Sequence, residues 1–210
     1  MKVHMAALVG VAVILSGSVA NAAGYAGVKG GVNIASLSGD GVDDLDSRTG
    51  FMGGAFYGFS FADQFGLRIE GLYVQKGAEG EFVLPGDDHG HESVVKLDYV
   101  EFPVLVTMGI PAGDKLAFNI FAGPTFAFNT TAEVEVTEHD ETVDLGDSVE
   151  SFEFGAAIGG GLEYMLSSFS IVFDARYSLG ASNIVDAEGA DTKNRGIGIM
   201  AGVQFPLGAK

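Results

Sequence analysis

Residues 116–129 read LAFNIFAGPTFAFN, and the order of apolar and polar side chains along them decides the fold. Phe118, Ile120, Ala122, Pro124, Phe126 and Phe128 occupy one set of alternate positions. Asn119, Gly123, Thr125 and Asn129 occupy the other. A period of two belongs to a β-strand, whose successive side chains point to opposite faces. The run is also long enough to cross hydrocarbon, for which a tilted strand needs about 9–11 residues.

The same alternation recurs along the chain. Eight segments carry it: Tyr25–Ile34, Gly50–Phe61, Phe65–Lys76, Val95–Ile110, Leu116–Asn129, Phe152–Tyr164, Phe169–Gly180 and Arg195–Leu207. Three connections between them are short, at residues 62–64, 111–115 and 165–168. The other four are long: Ala35–Thr49, Gly77–Val94, Thr130–Ser151 and Ala181–Asn194. Short turns at one end and long loops at the other mark an up-and-down barrel that spans an outer membrane, with the short turns on the periplasmic side. The pattern therefore predicts an all-β protein: a single antiparallel transmembrane barrel of eight strands. Closure follows because hydrocarbon leaves the hydrogen-bonding groups of an open sheet edge unsatisfied.

One face of each segment is apolar. Val100, Phe102, Val104, Val106 and Met108 oppose Glu101, Pro103, Leu105 and Thr107. Phe169, Ile171, Phe173, Ala175, Tyr177 and Leu179 oppose Ser170, Asp174, Arg176 and Ser178. The second face is small and polar, with ions of both signs: Lys29, Arg68, Glu70, Lys76, Glu101, Glu153, Glu163, Asp174 and Arg176. In a membrane these side chains point into the lumen, where an unmatched buried charge is costly, so acids and bases are expected to pair as an ionic plug. On that reading, loss of Arg176 strands carboxylates. The alternative arrangement is a water-soluble, lipocalin-like barrel with the polar face outside and the apolar face enclosed.

The chain begins with a leader-like sequence. Lys2 is followed by an apolar run from Met5 to Leu15, and Ala20-Asn21-Ala22 supplies a small-residue cleavage pattern. Cleavage after Ala22 is expected, leaving one barrel domain at 23–210. The apolar run is too short to span a bilayer as a helix, and no later segment offers ~18 apolar residues in a row. Cysteine is absent, so neither disulfides nor thiolate metal sites arise.

Aromatic residues gather near the segment ends. Phe61, Phe65, Phe118, Tyr164 and Phe169 lie towards the short turns, and Tyr73, Phe128, Phe152 and Tyr177 towards the long loops. Two such girdles are expected at the two interfaces of a membrane barrel. The stretches TGFMGGAFYGFSFADQFGLRIEGLYVQKG (49–77), LDYVEFPVLVTMGIP (97–111), FNIFAGPTFAF (118–128) and FGAAIGGGLEYML (154–166) resemble the PorT-like, porin-family outer-membrane barrel proteins. The chain end, through Gly202, Phe205 and Leu207, resembles the signal read by the barrel assembly machinery, although it continues to Lys210. The resemblance implies a barrel in the bacterial outer membrane and no settled activity.

Charge narrows the partners. The chain has 28 acids against 11 Lys and Arg, and 20 of the acids lie in the four long connections. Nucleic acid is excluded, because phosphate binding needs a basic surface. Outer-membrane lipid and lipopolysaccharide are the expected partners; the acidic loops read as a solvated, repulsive cell surface, with bridging by divalent cations as the alternative, since carboxylates suit hard cations. No cofactor is expected. Asp87-Asp88-His89-Gly90-His91-Glu92 imitates a transition-metal cluster but reads as a solvated acidic loop. His89, His91 and His139 all fall in long loops, away from any nucleophile motif, so no enzyme is expected. Two functions remain: a non-catalytic surface barrel acting through its loops, or a narrow passive pore for small solutes. Eight strands enclose a lumen that side chains can just fill, which favours the first.

Overall fold

The computed structural model describes residues 24–39, 42, 45–83, 90–136, 141–185 and 191–208. The expected leader lies outside them, as do residues 87–89 of the His-containing acidic loop and His139.

Among the described residues nine strands follow one another: β1 (Gly24–Gly39), β2 (Asp46–Ser60), β3 (Phe65–Val83), β4 (Gly90–Pro111), β5 (Leu116–Val136), β6 (Glu141–Asp144), β7 (Phe152–Met165), β8 (Ser170–Gly180) and β9 (Thr192–Leu207). Eight of them form the wall and β6 is an appendage. Every pairing is antiparallel, in the order β4-β3-β2-β1-β9-β8-β7-β5, and β4 pairs with β5 to shut the ring. The first and last strands meet from Gly24↔Leu207 to Gly39↔Thr192, so the wall has no free edge. The three short turns close with their own hydrogen bonds. The Phe61 amide donates to the Phe65 carbonyl (3.0 Å), Ala112 to Leu116 (2.7 Å) and Leu166 to Phe169 (2.9 Å).

The long connections are less loop-like than their sequence suggested. The β3–β4 ladder continues outward to Val83↔Gly90, and β4–β5 pairing reaches Ser93↔Val136. Beyond Phe128↔Phe152, where β7 leaves β5, the short β6 takes over from Glu133↔Asp144 to Val136↔Glu141. The expected strand ends at Lys76, Val95 and Asn129 are therefore corrected outward. The reason is that alternation persists: Ala78, Val95, Leu97 and Ala132 still bury an inner face beyond the membrane belt.

The distribution of side chains excludes the water-soluble alternative. Val28, Phe51, Val106, Ile120, Ile158, Phe173, Ile197 and Ile199 point outward and exposed, whereas Lys29, Arg68, Glu70, Glu101, Glu153, Asp174 and Arg176 are buried inside. A continuous apolar belt around an ionic interior is stable only when hydrocarbon replaces water outside. Phe61, Phe65, Phe118 and Tyr164 stand exposed at the short-turn end of that belt, and Tyr73, Phe128, Phe152 and Tyr177 at the other. Among the described residues no helix is long and apolar enough to cross a membrane.

Candidate functional site

The lumen is layered along the barrel axis. At the short-turn end a vestibule of about 480 Å³ is bounded by the three turns and the first residues of the strands. Its inner wall is an ion cluster built on β1, β3 and β8. Lys29 Nζ lies 2.6 Å from Glu70 Oε1 and 2.7 Å from Asp174 Oδ2. Arg68 reaches the same two oxygens at 2.8 and 3.1 Å. Arg176 Nη2 is 2.8 Å from Glu70 Oε2 and 3.7 Å from Asp174 Oδ2.

These strands place charges inward because each charged residue sits on the same parity as the small residues facing the lumen. Small neighbours are required. A Cβ at Gly198 would stand 3.2 Å from Arg176 Cγ and 2.5 Å from Met52 Sδ, and one at Gly161 would stand 2.6 Å from Asp174 Oδ1.

The cluster holds three bases against two acids, and the odd cation has another partner in the rings. Phe56 and Phe121 are buried on the inner face. Lys29 Nζ is 5.3 Å from the Phe56 centroid, and Arg68 and Arg176 stand 4.5 and 5.4 Å from the Phe121 centroid. Desolvated cations gain from the negative face of an aromatic ring. Among the described residues Arg176 Nε and Nη1 have no hydrogen-bond acceptor although they are buried.

Above this cluster Met52, Leu72, Val74 and Met200 pack across the lumen. Next comes a second cluster with the opposite imbalance. Lys76 Nζ is 3.0 Å from Glu101 and 3.4 Å from Glu153, while Asn194 Nδ2 donates to Glu153 (2.7 Å) and to the Tyr99 hydroxyl (3.3 Å). One base here serves two acids, so the two layers together hold four of each sign. The free space beside Lys76, Glu101 and Glu153 is about 10 Å³, room for about one water.

The outer mouth is capped by apolar side chains. Val95, Leu97, Tyr99, Ala127, Ala132 and Ile184 are buried together, and Leu37, Val134, Leu145, Val149 and Val185 pack against them. Two connecting segments supply the covering residues. A 3-10 turn at Gly146–Ser148 leads into Val149, which bridges Val185, and the Glu150 amide donates to the Ile184 carbonyl (2.9 Å).

Of the nine expected lumen charges, the structure brings Lys29, Arg68, Glu70, Asp174 and Arg176 into the inner layer and Lys76, Glu101 and Glu153 into the outer one. Glu163 joins neither. It lines the vestibule, half-buried, and accepts a hydrogen bond from Gln204 (3.0 Å). The expectation that losing Arg176 strands carboxylates is narrowed: Asp174 and Glu70 Oε1 keep Lys29 and Arg68, and it is Glu70 Oε2 that would lose its one cation among the described residues.

The strand pattern passed over Phe56 and Phe121, although parity places Phe121 with Asn119 and Gly123. It also passed over Arg48 and Asp98. A break in β2–β3 pairing lies between Ser47 and Met52, where Arg48 donates to the Lys76 carbonyl and lies 3.4 Å from Asp98. Tyr73 closes the group by donating its hydroxyl to Asp98 (2.6 Å).

A closed antiparallel barrel with an apolar belt and a charged, filled lumen defines a class, the transmembrane β-barrels of outer membranes. Residues 24–186 match the family model described as the outer membrane protein beta-barrel domain; the chain belongs to that family, whose members reside in the bacterial outer membrane. Two solved structures agree on the fold. Neisserial surface protein A is 15% identical, with a TM-score of 0.51 over 88% of this chain and 97% of that one. The outer membrane protein OprG from Pseudomonas aeruginosa is 13% identical, with a TM-score of 0.51 over 90% and 98%. The attachment invasion locus protein Ail of Yersinia pestis is 18% identical, with a TM-score of 0.42 over 87% and 99%. No curated protein matches the chain in sequence.

Proposed function

We propose that this chain is a non-catalytic surface barrel, exported by a leader cleaved after Ala22 and inserted by the barrel assembly machinery. Its work is done at the long-loop end, where acidic connections meet lipopolysaccharide, divalent cations or other surfaces. The narrower likeness to PorT-like barrels belongs to the same reading.

The observation that supports it is the occupancy of the lumen. Between the vestibule and the mouth lie two ion clusters, an apolar layer and an apolar cap. An ion entering from either end would have to displace paired charges in a low-dielectric interior, which costs far more than diffusion supplies. Binding residues on a rigid scaffold, by contrast, tend to sit in its loops. Acids that remain exposed beyond the belt, such as Asp46, Glu79, Asp144, Glu150 and Asp191, suit hard cations shared with anionic lipid headgroups.

Planar-bilayer recording of the purified, refolded barrel tests the proposal. No steady conductance is expected from the wild type. Cells carrying a barrel with acidic loop residues neutralised should lose divalent-dependent clumping or adhesion without losing the barrel from the outer membrane. A steady, ion-selective conductance altered by substitutions at Glu101 or Arg176, and indifferent to the loops, would move the function into the lumen as a pore.

A further inference from the structure

Glu163 is left over from the ionic plug, and its surroundings form a pocket. The vestibule's volume, about 480 Å³, lies in the range of pockets that hold small organic ligands. It ends blindly against the inner ion cluster and opens at the short-turn end, which faces the periplasm in barrels of this class.

Its charged lining is Asp63, Glu163, Asp174 and Arg68. Arg68 is already committed to Glu70 and Asp174 at 2.8 and 3.1 Å. Lys29, Arg176 and Glu70 stand directly behind, and with them included the site still carries one acid in excess. Glu163 has a neutral partner, Gln204, and so has charge to offer a ligand. The remaining wall includes Tyr25, Met165 and Phe169, apolar or aromatic surfaces that suit the body of a ligand rather than a hydrated ion.

We propose that this vestibule binds small organic cations with an apolar body, amines or amidines, entering from the periplasmic side with Glu163 as counter-ion. A half-buried carboxylate makes a charge-assisted hydrogen bond stronger than one between neutral groups. The Tyr25 ring adds a face that favours cations. An anion meets three carboxylates and one occupied guanidinium, so the pocket discriminates by sign.

The test compares two probes of nearly the same shape. Benzamidinium is charged and benzamide is neutral; both are titrated calorimetrically into the barrel folded in lipid nanodiscs. Saturable binding of benzamidinium is expected, with benzamide at least about tenfold weaker, the loss typical of one charged hydrogen bond. Glu163→Gln should bring benzamidinium down to the benzamide level, and Glu163→Asp should keep the preference for the cation. The heat-dependent gel shift of each variant establishes that it is folded. Equal binding of the two probes, an unchanged preference in Glu163→Gln, tighter binding of benzoate, or no binding to a folded wild-type barrel would each overturn the proposal.

Discussion

Replacing Glu70 with Gln removes the carboxylate that three cations share. Lys29, Arg68 and Arg176 approach its two oxygens at 2.6, 2.8 and 2.8 Å, and its side chain is fully buried. The inner cluster would pass from three bases and two acids to three bases and one acid, in a buried setting that screens the surplus poorly. Breaking a buried ionic network by removing one partner costs about 3–5 kcal/mol, a shift of roughly 10²–10⁴-fold in the folded-to-unfolded ratio. Arg176→Met gives the opposite contrast. It leaves Lys29 and Arg68 facing Glu70 and Asp174, a balanced set, but takes from Glu70 Oε2 its one cation, so it should cost about 1–3 kcal/mol, less than Glu70→Gln. The double variant restores the wild-type surplus of one base and should recover part of the Glu70→Gln loss. Reversible urea unfolding in lipid vesicles, followed by tyrosine fluorescence and the heat-dependent gel shift, measures all three. A Glu70→Gln cost under about 1 kcal/mol, or a double variant less stable than Glu70→Gln alone, would refute the account of the cluster as a single network.

The other predictions address the belt, the packing and the cap. Ile120→Lys, on the lipid face, should cost about 2–4 kcal/mol in the same assay if that position lies near mid-bilayer. Gly198→Val should destabilise by about 1–3 kcal/mol, because its side chain would overlap Met52 and press on Arg176. Ile184→Ala should loosen the cap without unfolding the wall, seen as faster hydrogen exchange at the Glu150 amide, which donates to the Ile184 carbonyl.

Much of the architecture was legible in the sequence because it depends on local rules. The alternation in Leu116–Asn129 and its seven companions sets which side chains face outward, since parity along a strand is a property of the backbone alone. The alternation of short and long connections indicates one-sided loops. Together these read as a closed membrane barrel, and the family match over residues 24–186 agrees. The same parity placed Lys29, Arg68, Glu70, Glu101, Glu153, Asp174 and Arg176 on the inner face.

Which acid meets which base depended on stagger, a relation between strands far apart in sequence. Lys29 and Asp174 are 145 residues apart and meet because β1 and β8 are offset around β9 so as to bring them to one height. The same offset leaves Glu163 below the plug, in the vestibule, although its parity matches that of Asp174. Tertiary structure also decided the outer mouth. Leu145, Val149 and the adjacent Ile184 and Val185 are a few apolar residues in acidic connections, with no period to announce them. They become a cap because the extended β3–β4–β5 sheet offers Val95, Leu97 and Ala132 as an apolar surface that water would otherwise cover. Local pattern determines the face a residue takes; its partner on that face is set by the closing of the ring.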